Sequence, residues 1–546
     1  MKKIVNLFGV LVVVINVFAQ PVLPKFNTPI FKKDTISIVK FGAKADGEFL
    51  NTAAINAAIV HQAKKGGGVV SVPSGLWLSG PIVLLSNINL HLQAGATLLF
   101  AKDFNQYPLV ATNWEGLPQM RNQSPISADK ANNIAITGKG IIDGNGDAWR
   151  MVKRDKINET QWKKLLSTGG ILSEDKKTWY PSASSLKGSK LSNPGMIATD
   201  KDADFYKSVK DFLRPNLLVF TQSKNILIEG VTFQNSPAWC LHPLMSENIT
   251  VKNVSVKNPW YAQNGDGIDV ESCKNVVIEN TVFDVGDDAI CIKSGRDAEG
   301  RKRAMPTENV SVKNCTVYAA HGGFVIGSEM SGGAKNIVVS NCTFFGTDIG
   351  LRFKTTRGRG GVVENIFIKD IYMKDIVGEA ILFDMYYAAK DPIPLAGEKR
   401  ELPKVEFKPV DETTPVFQNF HISNVYCNGA EKAIFIRGLP EMHVKKVKFS
   451  NMLLQAKLGM DIQEASFVEF ENIKLITQQH QPAIDIVQSD NLVFKAIENQ
   501  PMADILFRIS GERAKAIRIN QSAFSPAKQK IVFELGSNEN SVINEK

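Results

Sequence analysis

The chain has 546 residues, 44% of them hydrophobic, with 64 Lys+Arg against 55 Asp+Glu and a formal net charge of +9. That balance excludes a disordered or collagen-like chain and predicts a globular body with a large core. Length alone suggests three or four domains of roughly 150 residues each, unless internal repeats join them into one.

At the N-terminus, Lys2 and Lys3 precede an apolar run from Ile4 to Phe18 that ends in Val17-Phe18-Ala19 before Gln20. A basic start, an apolar centre shorter than the roughly 20 residues that cross a bilayer, and a small-residue end predict a secretory signal peptide over residues 1–19. The expectation is an exported protein, periplasmic or extracellular, with no membrane span after cleavage and a body running from 20 to 546. Removing residues 1–19 takes away two lysines and no acid, leaving +7. Further on, Asn51-Thr52-Ala53-Ala54-Ile55-Asn56-Ala57-Ala58-Ile59 predicts a capped amphipathic helix ending near Gly66-Gly67-Gly68.

A phrase then recurs: Asn, aliphatic, any, aliphatic, any, Asn or Gly, small apolar, any, aromatic or Val. It reads NIAITGKGI from Asn133, NILIEGVTF from Asn225, NITVKNVSV from Asn248, NVVIENTVF from Asn275, NVSVKNCTV from Asn309, NIVVSNCTF from Asn336, NIFIKDIYM from Asn365 and NFHISNVYC from Asn419. From Asn225 the anchors advance by 23, 27, 34, 27 and 29 residues, then by 54, which is two turns or one turn with a long loop. Period-two alternation rich in β-branched residues predicts strands with one buried face. Short strands repeating every 20 to 35 residues predict an all-β fold, a single-stranded right-handed parallel β-helix in which each coil buries its neighbour's apolar face. A β-propeller blade needs about 40 residues, so these coils are too short for one. The N-terminal helix would then plug the open first coil. The Asn five residues after each anchor (Asn253, Asn280, Asn314, Asn341, Asn424) is expected to form an amide ladder at a left-handed turn.

Two stretches break the rhythm and are read as loop insertions. Residues 144–214 contain Trp149, Trp162, Trp179 and Tyr180, and residues 388–415 contain five prolines. The three tryptophans predict that the first insertion is folded. Between Arg150 and Arg214 stand fourteen Lys and Arg against eight Asp and Glu, so nearly all the excess charge is gathered there. Charge confined to one loop of an exported solenoid suits steering of a polyanion and does not point to nucleic acid. Six cysteines would allow three disulfides. Cys315 and Cys342, however, occupy one position in successive repeats, about 4.8 Å apart, which is too far for a bridge. The cysteines are therefore expected to be mostly buried and apolar in character.

The candidate chemistry lies on four consecutive coils: Asn264-Gly265-Asp266-Gly267-Ile268-Asp269, Gly286-Asp287-Asp288-Ala289, His321-Gly322-Gly323 and Arg352-Phe353-Lys354. If Ser272, Ser294, Ser328 and Thr355 are equivalent, Asp266 falls in a column with Asp288, and Asp287 falls in a column with His321. Three carboxyls this close cannot all ionise freely, so at least one pKa is expected to rise. A carboxylate that activates water beside a protonated carboxylic acid is what glycoside hydrolysis uses. Arg352 and Lys354 should share one strand face, suited to an anionic sugar, while Phe353 faces the core. Calcium binding by the three acids is the competing reading.

These four motifs, in this order, resemble those of the polygalacturonase family of glycoside hydrolases, written N-T-D, D-D, G-H-G and R-I-K. FGAKADG at Phe41 to Gly47 and LHLQAGATLLF at Leu90 to Phe100 extend the likeness toward the N-terminus. The resemblance implies a pectin lyase-like β-helix, no metal or organic cofactor, and hydrolysis of α-linked galacturonic acid in pectic poly- or oligosaccharides with inversion. It further implies Asp287 as general acid, Asp266 and Asp288 as the water-activating pair, His321 as support for the acid, and Arg352 and Lys354, with Asn264, as substrate-binding residues. The sequence departs from the family pattern where Gly265 replaces Thr, Ala320 precedes His321 in place of Gly, and Phe353 replaces Ile. Exo-action is expected from the first insertion, which could close one end of the groove, and a monomer is expected. The rivals are a rhamnogalacturonan hydrolase of the same fold, a calcium-dependent lyase and a non-catalytic carbohydrate-binding β-helix.

Overall fold

The computed structural model describes residues 21–387, 406–479, 482–520 and 527–545. The expected signal peptide and part of the second insertion lie outside these residues. The described chain winds into a right-handed parallel β-helix whose coils contribute to a 23-stranded and a 14-stranded sheet, each strand paired in parallel with its counterpart one coil on. One continuous apolar core runs through the coils, from Ile38 and Ile55 at one end to Ile517 and Ile519 at the other. The predicted helix covers the first coil as Thr52–Lys64 and buries Ala54, Ile55, Ala58 and Ile59. Asn51 does not cap it by side chain. Its amide instead binds the Lys44 backbone at 2.7 Å and 3.0 Å and reaches Phe49 and Leu78, tying the helix start to the second coil.

The step of 54 residues is a single turn with a loop, because Val362–Lys374 pairs directly with Val416–Asn428. The amide ladder is more extensive than expected, and its main line is elsewhere. The anchor asparagines themselves bond in succession, Asn248 to Asn225, Asn275 to Asn248 and Asn309 to Asn275, each at 3.0 Å, and the line continues through Asn336, Asn365 and Asn419. The predicted second line holds for Asn280, Asn314 and Asn341. Both lines turn corners in the left-handed region, with φ of 51° to 60° from Asn225 to Asn424, a conformation Asn tolerates because its short amide bonds locally. The coils continue past Asn419, with Lys446, Phe467, Asn491 and Ala516 at the same left-handed corner. All six cysteines are free and buried.

The first insertion is folded on the outside of the solenoid. Trp162 and Trp179 form a small core with Val152. The stretch Tyr206–Leu213 packs against a hairpin of Leu109–Trp114 and Leu117–Asn122, which the repeat pattern did not reveal. Met120 N donates to Gly195 O at 2.8 Å, so hairpin and insertion form one wall beside the groove.

Candidate active site

Strand pairing sets the columns. Ile268 pairs with Ile290, and Gly267 N donates to Asp288 O at 2.9 Å, which places Asp266 one coil from Asp288. Asp288 pairs with Gly322, and His321 N donates to Asp287 O at 3.0 Å, which places His321 over Asp287. Arg352 and Lys354 leave the strand Ile349–Lys354 on the groove side while Phe353 is fully buried. One carboxylate oxygen each from Asp266, Asp287 and Asp288 lies within 4.8 Å of the others.

The three acids occupy different environments. Asp288 is 1% exposed and is held by Lys354 Nζ at 2.7 Å on one oxygen and by Arg352 Nη1 at 3.2 Å on the other. Burial alone would raise its pKa. The Lys354 and Arg352 charges outweigh burial and hold the carboxyl well below the usual range, so it is ionised. Asp266 is buried with one oxygen unbonded, and burial, then Asp269 and Asp287, push its pKa well up. Asp287 is the most accessible of the three. Its Oδ1 sits 3.1 Å from His321 Nδ1, a contact that raises the histidine's pKa against the effect of burial. A divalent cation among the three acids would have to displace Arg352 and Lys354 from Asp288 or sit beside both.

Close packing explains two motif positions. A Cβ at Gly322 would lie 2.4 Å from Val325 and crowd both Asp288 Oδ1 and Arg352, so glycine leaves room for that ion pair. A Cβ at Gly265 would meet Ala262 at 2.8 Å, which accounts for the missing Thr. Asn264 turns at φ 52° and accepts from Arg214 Nη2 at 2.9 Å.

Four groups at the site were not singled out from the sequence. Asp269 is completely buried, neither oxygen is hydrogen-bonded, and Lys293 Nζ stands 3.6 Å away. Lys293 in turn bonds Glu329 at 2.9 Å. Tyr387 presents its ring to Lys354 at 4.9 Å and to Arg352 at 5.8 Å. A signal for the first pair existed: Ile268 and Val270 are core residues, so Asp269 and Glu271 must face outward, and Glu271 is in register with Lys293.

A solenoid groove that sets an accessible carboxyl beside a buried, ion-paired carboxylate is the architecture of a glycoside hydrolase. Known proteins narrow that class. Residues 184–433 match the model of the glycosyl hydrolases family 28. The chain is 30% identical over 352 residues to a probable polygalacturonase of Vitis vinifera, covering 62% of this chain and 60% of that protein's length. It is 29% identical over 451 residues to an exo-poly-alpha-D-galacturonosidase of Dickeya chrysanthemi, covering 80% of this chain and 70% of the relative. Among solved structures, a hyperthermoactive exopolygalacturonase from Thermotoga maritima superposes with a TM-score of 0.65 at 31% identity, covering 82% of this chain and 93% of the other. The chain belongs to glycosyl hydrolase family 28.

Proposed function

We propose that the protein is an exported galacturonan hydrolase that cleaves α-linked galacturonic acid in pectic chains, acting from a chain end and inverting the anomeric centre. The observation that carries this reading is the division among the three carboxyls, with Asp288 held ionised by Lys354 and Arg352 and Asp287 open to the groove beside His321. In this mechanism Asp287 gives its proton to the leaving glycosidic oxygen. Water held between Asp266 and Asp288 attacks the anomeric carbon and loses its proton to that pair. His321 orients Asp287. Arg352 spends one terminal nitrogen on Asp288 and the His321 carbonyl, and its other terminal nitrogen remains for a substrate carboxylate.

The spacing of 4.8 Å or less is shorter than the roughly 6.5–9.5 Å that separates the acids of most inverting glycosidases, and nearer the roughly 5–5.5 Å of retaining ones. Retention would require a free carboxylate to attack the sugar. Asp288 has both oxygens engaged by cations, and Asp266 is buried with a raised pKa. Inversion by a water beside the pair is therefore the better reading.

The export assignment rests on the sequence of residues 1–19. No helix among the described residues is long and apolar enough to cross a membrane. The body from residue 20 is proposed to act as one domain, with the first insertion as the groove's end wall. Digestion of polygalacturonate with time-resolved product analysis tests the activity and its mode together. Monomer alone at early times is expected. Early mixed oligomers would contradict action from a chain end, and no hydrolysis would contradict the activity.

A further inference from the structure

Two lysines stand behind the water-activating pair, and only one of them touches its acid. Ile292, Ile326 and Phe353 lie in register, so Lys293 and Lys354 follow in one outward-facing column two coils apart. Lys354 bonds Asp288 at 2.7 Å. Lys293, 4% exposed, turns instead to Asp269 at 3.6 Å and Glu329 at 2.9 Å, with its ammonium 4.8 Å over the ring of Trp239. Glu329 is fixed in turn by the Ser328 hydroxyl at 3.1 Å and by Arg359 at 4.0 Å.

Asp269 takes no part in the mechanism described above. It is nevertheless completely buried, three residues from Asp266, and accepts no hydrogen bond among the described residues. A buried carboxyl without a hydrogen bond is destabilising, and an apolar residue would fill the same place at lower cost. The charges that face Asp266 are Asp269, Asp287 and Asp288, against Lys293 and Arg214. Those that face Lys293 are Asp266, Asp269, Asp288, Glu329 and Glu115, with the Cys291 thiol. Of the two buried acids, Asp269 lies within ion-pair distance of the ammonium and ionises first. Its charge then holds a proton on Asp266, and Lys293 opposes that hold.

We propose that Asp269 and Lys293 are positioning residues that set the charge state of Asp266 in opposite senses, the carboxylate keeping a proton on it and the ammonium releasing that proton. Both are buried, so neither is placed to touch substrate. The proposal rests on the galacturonan reading above, in which Asp266 is half of the water-activating pair.

The pH profile of kcat on polygalacturonate tests it. Lys293→Met should move the acidic limb to higher pH by about one unit or more, and Asp269→Asn should move it to lower pH. KM should change by less than about twofold in both. Limbs that stay in place, or that move in the same direction, would overturn the proposal and leave a purely structural ion cluster. Melting curves at pH 8 separate this result from the reading it rests on. Asp266→Asn should raise the melting temperature at least about twofold more in Lys293→Met than in wild type, and less in Asp269→Asn than in wild type. An equal gain in wild type and in Asp269→Asn would overturn the proposal even if Lys293→Met does not fold. Gains in the expected order without hydrolysis of any galacturonan would instead overturn the activity and leave the ion cluster's role standing.

Discussion

Asp266 and Asp288 sit one coil apart, yet their surroundings drive them in opposite directions. Asp288 has a depressed folded-state pKa. The stability it confers is therefore present above the unfolded value of about 3.9 and is lost as pH falls below it. Asp266 has a raised folded-state pKa, so the folded state retains its proton longer than the unfolded chain. Its favourable contribution is complete below about pH 3.9 and fades as pH rises through the folded value. Asp266→Asn should therefore stabilise the protein by on the order of 1 kcal/mol at pH 7, with no gain near pH 3, while abolishing most activity. Denaturant melts of both proteins at the two pH values check this. Equal stability at pH 7 would contradict the account of Asp266 as a strained buried acid. Lys354, expected from sequence to bind substrate, spends its ammonium on Asp288. Lys354→Ala should accordingly move the acidic limb of the kcat profile to higher pH in addition to raising KM, and an unmoved limb would show that the ion pair does not set the charge of Asp288. The carboxyl columns were legible because strand register follows from counting between equivalent serines. The ion pairs on Asp288 were not, since side-chain reach across two coils has no sequence signal.

The coil is the repeating element, and its corners carry the amide ladders. Asn309 lies inside the main line, donating to Asn275 and accepting from Asn336, with φ of 58°. Asn309→Gly loses the two bonds but keeps the conformation, and should cost about 1–3 kcal/mol. Asn309→Ala also forces an alanine into the left-handed region and should cost about 1–2 kcal/mol more. Urea melts of the two variants separate the contributions, and equal destabilisation would mean that corner strain is negligible. The eight phrases revealed the coils up to Asn419, because Asn repeats there. Beyond it, Lys446 and Phe467 occupy the same corner without the amide, so the signal disappears while the coil persists. The hairpin at 109–122 lacks the repeat and pairs antiparallel within itself, so the coil period carries no trace of it.

At the scale of the molecule, the excess charge is gathered on one folded insertion. The insertion forms one wall with the hairpin at Gly195, and Lys153, Lys156, Lys163, Lys164, Lys176 and Lys177 on it are exposed. Long-range attraction of a polyanion should make kcat/KM on polygalacturonate fall several-fold between low and physiological ionic strength. Neutralising those six lysines to Gln should flatten the dependence. A slope unchanged in that variant would place the steering elsewhere. The measurement that bears most directly on the central claim is proton NMR of the first minutes of oligogalacturonate hydrolysis, with wild type and Asp287→Asn side by side. The account predicts that the new reducing ends appear as the β-anomer before mutarotation, and that Asp287→Asn lowers the rate by about 10²–10⁴-fold with KM little changed. New ends appearing as the α-anomer, or an Asp287→Asn enzyme that works at the wild-type rate, would contradict it.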